Sequence, residues 1–109
     1  MTTLNAKQAQ SLIGNSLVLP INAPAINNTI KGVDYSEVEQ IVNSLDFFNL
    51  DDELSQYKIK LVRLFIKKLL NNLKERDSYL VPIINGLHKT KDDFTFISWV
   101  YQVKEGLWN

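Results

Sequence analysis

The most organised chemistry-bearing feature of this sequence is a series of basic residues between positions 60 and 74. Lys60, Arg63, Lys67 and Lys74 recur at intervals of three, four and seven residues. On an α-helix these intervals place all four within about 60° of one another around the axis. Such a basic stripe could contact an acidic protein surface or the phosphates of a nucleic acid. It would also suit the solvated side of a helix whose other side is buried, and we place it on that solvent side.

Few other polar residues have types and spacing that could support catalysis or metal binding. His88 is the single histidine and there is no cysteine, so a typical zinc site cannot be assembled. The acidic clusters 51–53 and 92–93 stand at expected helix starts, where carboxylates stabilise the helix dipole. The four glycines are far apart, which leaves no glycine-rich phosphate loop. We therefore expect a protein that is not an enzyme and has no metal and no cofactor.

Length and composition predict one globular domain over residues 1–109. Hydrophobic residues make up 45% of the chain and charged residues 22%, close to the averages for globular proteins. No apolar run approaches the roughly 20 residues that a membrane span requires, and the polar N-terminal residues do not resemble a signal peptide. We expect a cytoplasmic protein without a membrane partner.

Charge is segregated along the chain although the formal net charge is zero. Residues 33–55 contain seven acids and no base, and residues 56–76 contain seven bases and one acid. One interpretation is that the two segments pack side by side and neutralise each other. The alternative is that one of the two faces meets a charged partner.

Hydrophobic periodicity predicts an all-α fold, a compact bundle of four to five helices. A short helix is expected over 6–13 with Asn5 as its N-cap. A second is capped by Asp34 or by Ser36, which forms a capping box with Glu39, and ends near Asn49, with one apolar stripe. That stripe consists of Val38, Ile41, Val42, Leu45 and Phe48.

The third helix is expected to be central, running from the cap Asp51 to about Arg76 (52–76). Its apolar side covers half of the cylinder and comprises Ile59, Leu61, Val62, Phe65, Ile66, Leu69, Leu70 and Leu73. Among these we expect Phe65, Ile66 and Leu69 to be almost fully buried.

The C-terminal third of the chain is less uniform in its pattern. Ser78 can cap a fourth helix that ends between Gly86 and Lys89 and has Pro82 in its first turn. Residues 94–103 fit either a helix, with Thr90 and Asp93 as a capping pair, or a strand of alternating apolar residues. We favour the helix, since a lone strand would have nothing to pair with apart from the stretch 17–21.

The connection over 15–32 is extended and unusually apolar for a linker. Pro20 and Pro24 prevent a helix there, while Leu17, Leu19 and Ile21 require cover. A connection of this length is uncommon within a compact domain. It is either a strap over its own bundle or an arm that docks on another chain, and the pattern leaves both open. The domain thus divides into a short helix plus arm (1–32) and a helical core (33–109).

These features predict a small protein–protein interaction module of the adaptor, inhibitor, immunity or assembly-factor type. A homodimer is one form that the interaction could take. A nucleic-acid-associated regulator is the alternative, less favoured because of the neutral total charge and only two arginines. Trp108 could anchor an interface or fold back onto the core. The candidate partner-binding residues are Lys60, Arg63, Lys67, Lys74, Leu17, Leu19, Ile21 and Trp108.

Overall fold

The computed structural model describes residues 3–12, 29–30, 33–73 and 75–107. Most of these residues are helical, and the predicted all-α bundle is confirmed. Two-residue strands β1 (Thr29–Ile30) and β2 (Val33–Asp34) pair antiparallel, with Thr29 opposite Asp34, immediately before the second helix. The helical elements are α1 (Ala6–Leu12), α2 (Tyr35–Ser44), α3 (Glu53–Asn72), a 3-10 helix (Glu75–Leu80), α4 (Val81–Lys89) and α5 (Asp93–Leu107).

Helix α1 has the predicted cap and is held in place by packing. The Asn5 side chain accepts from the Gln8 backbone N–H at 2.9 Å, and the Gln8 side chain accepts from the Asn5 N–H at 3.1 Å. This reciprocal pair is a capping box. A helix of seven residues is marginal alone, but Ala6 and Ala9 are buried and the helix lies against α5.

Helix α2 ends at Ser44, five residues before the predicted end near Asn49. The Asp46 carboxylate accepts from the Phe48 N–H at 3.0 Å and the Leu4 N–H at 3.2 Å, so a turn replaces the last helical turn. The prediction that Phe48 is a core residue is therefore wrong, since its side chain is exposed. Phe47 is buried instead, with its ring 5.4 Å from that of Phe94.

Helix α3 is shorter than predicted at both ends. Its N-cap is Asp52 rather than Asp51, with the Asp52 carboxylate accepting from the Ser55 N–H at 2.7 Å, and it ends at Asn72 rather than near Arg76. Ile66 and Leu69 are buried as predicted, whereas Phe65 is half-buried with its ring 5.8 Å from that of Tyr35. The core side of this helix consists of Ser55, Ile59, Val62, Ile66 and Leu69.

Helix α4 has Pro82 in its first turn, as predicted. The prediction that Ser78 caps α4 is wrong. The 3-10 helix leads directly into α4, and Leu80 occupies the cap position without a side-chain hydrogen bond. Residues 94–103 are helical rather than a strand. The cap of α5 is Asp92, whose carboxylate accepts from the backbone N–H and the hydroxyl of Thr95 at 2.9 and 2.7 Å.

The core lies between α5 and the surrounding helices. Helix α5 packs against α1, α2 and α4, and its residues Phe96, Ile97 and Ser98 are fully buried in succession. Helix α3 packs against α2, α4 and β2 and leaves its outer side open. Helix α5 has three consecutive fully buried residues, whereas α3, the longest helix described, has its buried residues along one side.

The fully buried Ser98 hydroxyl has no hydrogen-bond partner in the part of the chain that the structure describes. A buried polar group without a partner costs about 1–3 kcal/mol. We therefore expect Ser98→Ala to raise the free energy of unfolding by about 1 kcal/mol, measured by urea denaturation.

The matched control is Ser55→Ala. Ser55 is also buried, but its hydroxyl donates to the Asn49 carbonyl at 3.1 Å. The control should lower the free energy of unfolding by about 1 kcal/mol. Equal destabilisation by both substitutions would show that the Ser98 hydroxyl is satisfied.

Candidate interaction surface

Four large apolar side chains form a line along the solvent side of α3. Leu54, Tyr57 and Leu64 are 63%, 60% and 62% exposed, and Leu61 is 38% exposed. Their spacing of three, four and three residues keeps them within about 80° of one another around the helix. They lie about 140° from the middle of the core side of α3. We call these four residues the outer stripe.

Helical periodicity does not predict the outer stripe. The prediction that Leu61 lies in the core is wrong, since its side chain is exposed, and Leu54, Tyr57 and Leu64 are not among the candidate residues. These four side chains lie away from the core side of α3 and stay exposed among the described residues. The signal in the sequence was a second set of apolar residues at three- and four-residue spacing.

Lysines border the outer stripe. Lys60 and Lys67 are exposed, as predicted, and lie along one edge of it, while Lys68 is exposed and continues its spacing by four residues. Within the described ranges these three side chains form no salt bridge. On the other edge, Lys58 is half-buried and donates to the Ser44 hydroxyl at 3.0 Å.

Arg63 does not share the solvated environment predicted for the basic stripe. Its guanidinium donates to the backbone carbonyls of Thr90 and Lys91 at 2.7 and 3.1 Å. It also forms a salt bridge with Asp93 at 2.9 Å and lies 4.2 Å from the centre of the Phe96 ring. Its side chain is only 30% exposed. Arg63 therefore fastens the α4–α5 connection to α3. The prediction that it faces solvent together with the rest of the basic stripe is wrong.

Arg63 and Lys58, the two bases of α3 with polar contacts among the described residues, are not paired with a carboxylate of segment 33–55. Arg63 pairs with Asp93, which lies outside that segment, and Lys58 reaches a hydroxyl rather than a carboxylate. Helices α2 and α3 do pack together. At Lys58 and Arg63, however, the acids of segment 33–55 do not neutralise the bases of α3 in the way that one interpretation of the charge segregation predicted.

Five of the candidate partner-binding residues lie outside the described residues. They are Leu17, Leu19, Ile21, Lys74 and Trp108. Most of the connection over 15–32 lies outside as well, except for the extended Thr29–Ile30 segment paired with β2. The choice between a strap and an arm therefore stays a prediction.

The carboxylate of Asp92, at the start of α5, has a shifted pKa. The hydrogen bonds that Thr95 donates to its carboxylate lower the pKa of Asp92 below the ordinary value of 3.8, and the positive charge of Arg63 acts in the same direction. Partial burial opposes them. Because these hydrogen bonds favour the ionised carboxylate, Asp92 stabilises the start of α5 in its ionised form.

Comparisons with protein-family models, with curated proteins and with solved structures find no match for this chain. Among the described residues, no helix combines the length and hydrophobicity needed to cross a membrane. The same residues contain no group of three or more side chains arranged to hold a metal ion.

Proposed function

We propose that this protein is a small protein–protein interaction module that acts by binding, with the outer stripe of α3 as its docking surface. The observation that supports this proposal is the alignment of Leu54, Tyr57, Leu61 and Leu64 on the solvent side of one helix. Single exposed apolar residues are ordinary on protein surfaces. Contiguous apolar patches bordered by polar residues are typical of interaction sites.

The physical gain comes from removing this surface from water. Each large apolar side chain that is fully buried by a partner contributes about 1.5–3 kcal/mol. Tyrosine, the residue at position 57, is one of the types enriched among interface anchors, since its ring is large and rigid and its hydroxyl can remain hydrogen-bonded. The spacing of the outer stripe matches the seam along which two helices pack in a coiled coil.

The alternative function, nucleic-acid binding by the basic stripe, receives less support. It relied on Arg63 acting together with its lysine neighbours. Because the Arg63 guanidinium is engaged by Asp93 and two carbonyls, Lys60 and Lys67 remain as the described members of the basic stripe that face solvent. Two lysines give a weak, salt-sensitive phosphate contact.

The proposal is tested by capture of partners from a lysate of the native host on the immobilised chain. A triple variant, Leu54→Gln, Tyr57→Gln and Leu64→Gln, keeps helix-forming residues at exposed positions. It should stay folded by circular dichroism and lose the proteins that the wild-type chain retains, as identified by mass spectrometry.

The control is Val81→Gln, which removes an exposed apolar side chain from α4. It should leave the captured proteins unchanged. A folded triple variant that retains the same proteins as the wild-type chain would contradict the outer stripe as the docking surface.

A further inference from the structure

The charged residues along most of α3 have one sign. Between Leu54 and Asn72 the sequence contains five bases and no acid. Arg63 is neutralised by Asp93, which leaves Lys58, Lys60, Lys67 and Lys68. Three of these are exposed, and all four border or extend the outer stripe.

The spacing defines where a partner helix would meet these lysines. Leu54 and Leu61 occupy position a of a heptad, and Tyr57 and Leu64 occupy position d. Lys60 and Lys67 then fall at g, the position that flanks the seam and contacts the neighbouring helix. Lys58 falls at e on the opposite flank. From Leu54 to Leu64 the seam is about 15 Å long, which matches a partner helix of about three turns.

Resting on the proposed function, we infer that the segment docked on the outer stripe is an amphipathic helix with acidic flanks, supplied by another protein. Its apolar a and d residues pack on the outer stripe, and its Asp and Glu residues at e and g approach the lysines. The carboxylates provide ion-pair partners for Lys60, Lys67 and Lys68, which form no salt bridge among the described residues, and they set specificity more than affinity.

A second copy of this chain fits the same surface less well. In an antiparallel pair centred on the outer stripe, Lys60 would face its own counterpart. In a parallel pair, Lys68 would occupy an a position directly opposite its counterpart. Like charges at these positions disfavour association.

The connection over 15–32 also lacks the required chemistry. Between residues 8 and 30 the sequence contains no charged residue, so this segment offers no carboxylate to Lys60, Lys67 or Lys68. Pro20 and Pro24 interrupt any helix that would match the heptad spacing.

The inference is tested with two fluorescently labelled synthetic peptides of about 21 residues, long enough to form three heptads. Both have leucine at a and d; one has glutamate at e and g, and the other lysine. Titration with the full chain, followed by fluorescence anisotropy, should give roughly tenfold tighter binding of the acidic peptide at low salt. This preference should shrink at high salt because surface charges are screened.

Charge-reversal variants and the glutamine triple variant test the lysines and the outer stripe separately. Lys60→Glu with Lys67→Glu and Lys68→Glu should reverse the preference in favour of the basic peptide, whereas Lys89→Glu with Lys91→Glu, at exposed positions elsewhere, should not. The glutamine triple variant of the outer stripe should lose binding of both peptides.

Several results would overturn the inference. The first two are equal binding of the two peptides and binding of neither. The third is self-association of the wild-type chain that the glutamine triple variant abolishes. The fourth is binding of the acidic peptide only by a variant with Leu17→Ser, Leu19→Ser and Ile21→Ser, and not by the wild-type chain. The last two would assign the outer stripe to a second copy or to the chain's own connection. The proposed function fails on a separate result, host proteins captured equally by the wild-type chain and the glutamine triple variant.

Discussion

Replacing Leu69 with alanine should lower the free energy of unfolding by about 2–5 kcal/mol, the usual range for truncating a buried leucine. Leu69 is fully buried on the core side of α3, the side from which this helix packs on α2 and α4. The removed methyl groups lose their contacts, and neighbours drawn from separate helices can close only part of the cavity. Urea denaturation followed by circular dichroism measures the loss.

The matched control lies on the same helix. Leu64 is 62% exposed, so Leu64→Ala leaves no cavity and should change the free energy of unfolding by less than about 0.5 kcal/mol. If the two substitutions cost the same, the orientation of α3 described here is wrong. A cost below about 1 kcal/mol for Leu69→Ala would show that this position is not part of the core.

Helical periodicity predicts the existence and order of the helices because it depends on local spacing. The positions of the ends depend on contacts that local spacing does not reveal. Helix α2 stops at Ser44 because Asp46 also binds Leu4, 42 residues away in sequence. With the helix ended there, Phe47 rather than Phe48 lies in the core, and no pattern within the segment indicates this.

The candidate site was predicted in part, for a related reason. Periodicity correctly placed Lys60 and Lys67 on the solvent side of the third helix. It could not show that the α4–α5 connection approaches Arg63, since Thr90 and Asp93 are 27 and 30 residues away. It also could not show how much of the broad apolar arc the neighbouring elements would cover, so the outer stripe went unpredicted.

The second large effect is expected at Arg63. Arg63→Met retains much of the apolar stem but removes the guanidinium from Asp93, from two carbonyls and from the Phe96 ring. Hydrogen bonds to charged groups contribute about 1.5–3 kcal/mol each, but partial exposure weakens them here. We expect a loss of about 2–3 kcal/mol in the free energy of unfolding, measured by urea denaturation.

Three further variants show where this loss comes from. Lys60→Met, at the neighbouring exposed position, should cost less than about 0.5 kcal/mol. Arg63→Lys should retain only part of the stability, because an ammonium lacks the planar fork that reaches Asp93 and both carbonyls. A double-mutant cycle with Asp93→Asn should assign less than about 1 kcal/mol to the salt bridge, since both partners are about a third exposed. The larger share then belongs to the Thr90 and Lys91 carbonyls and the Phe96 ring. If Arg63→Met costs no more than Lys60→Met, Arg63 is an ordinary solvated member of the basic stripe and does not fasten the α4–α5 connection.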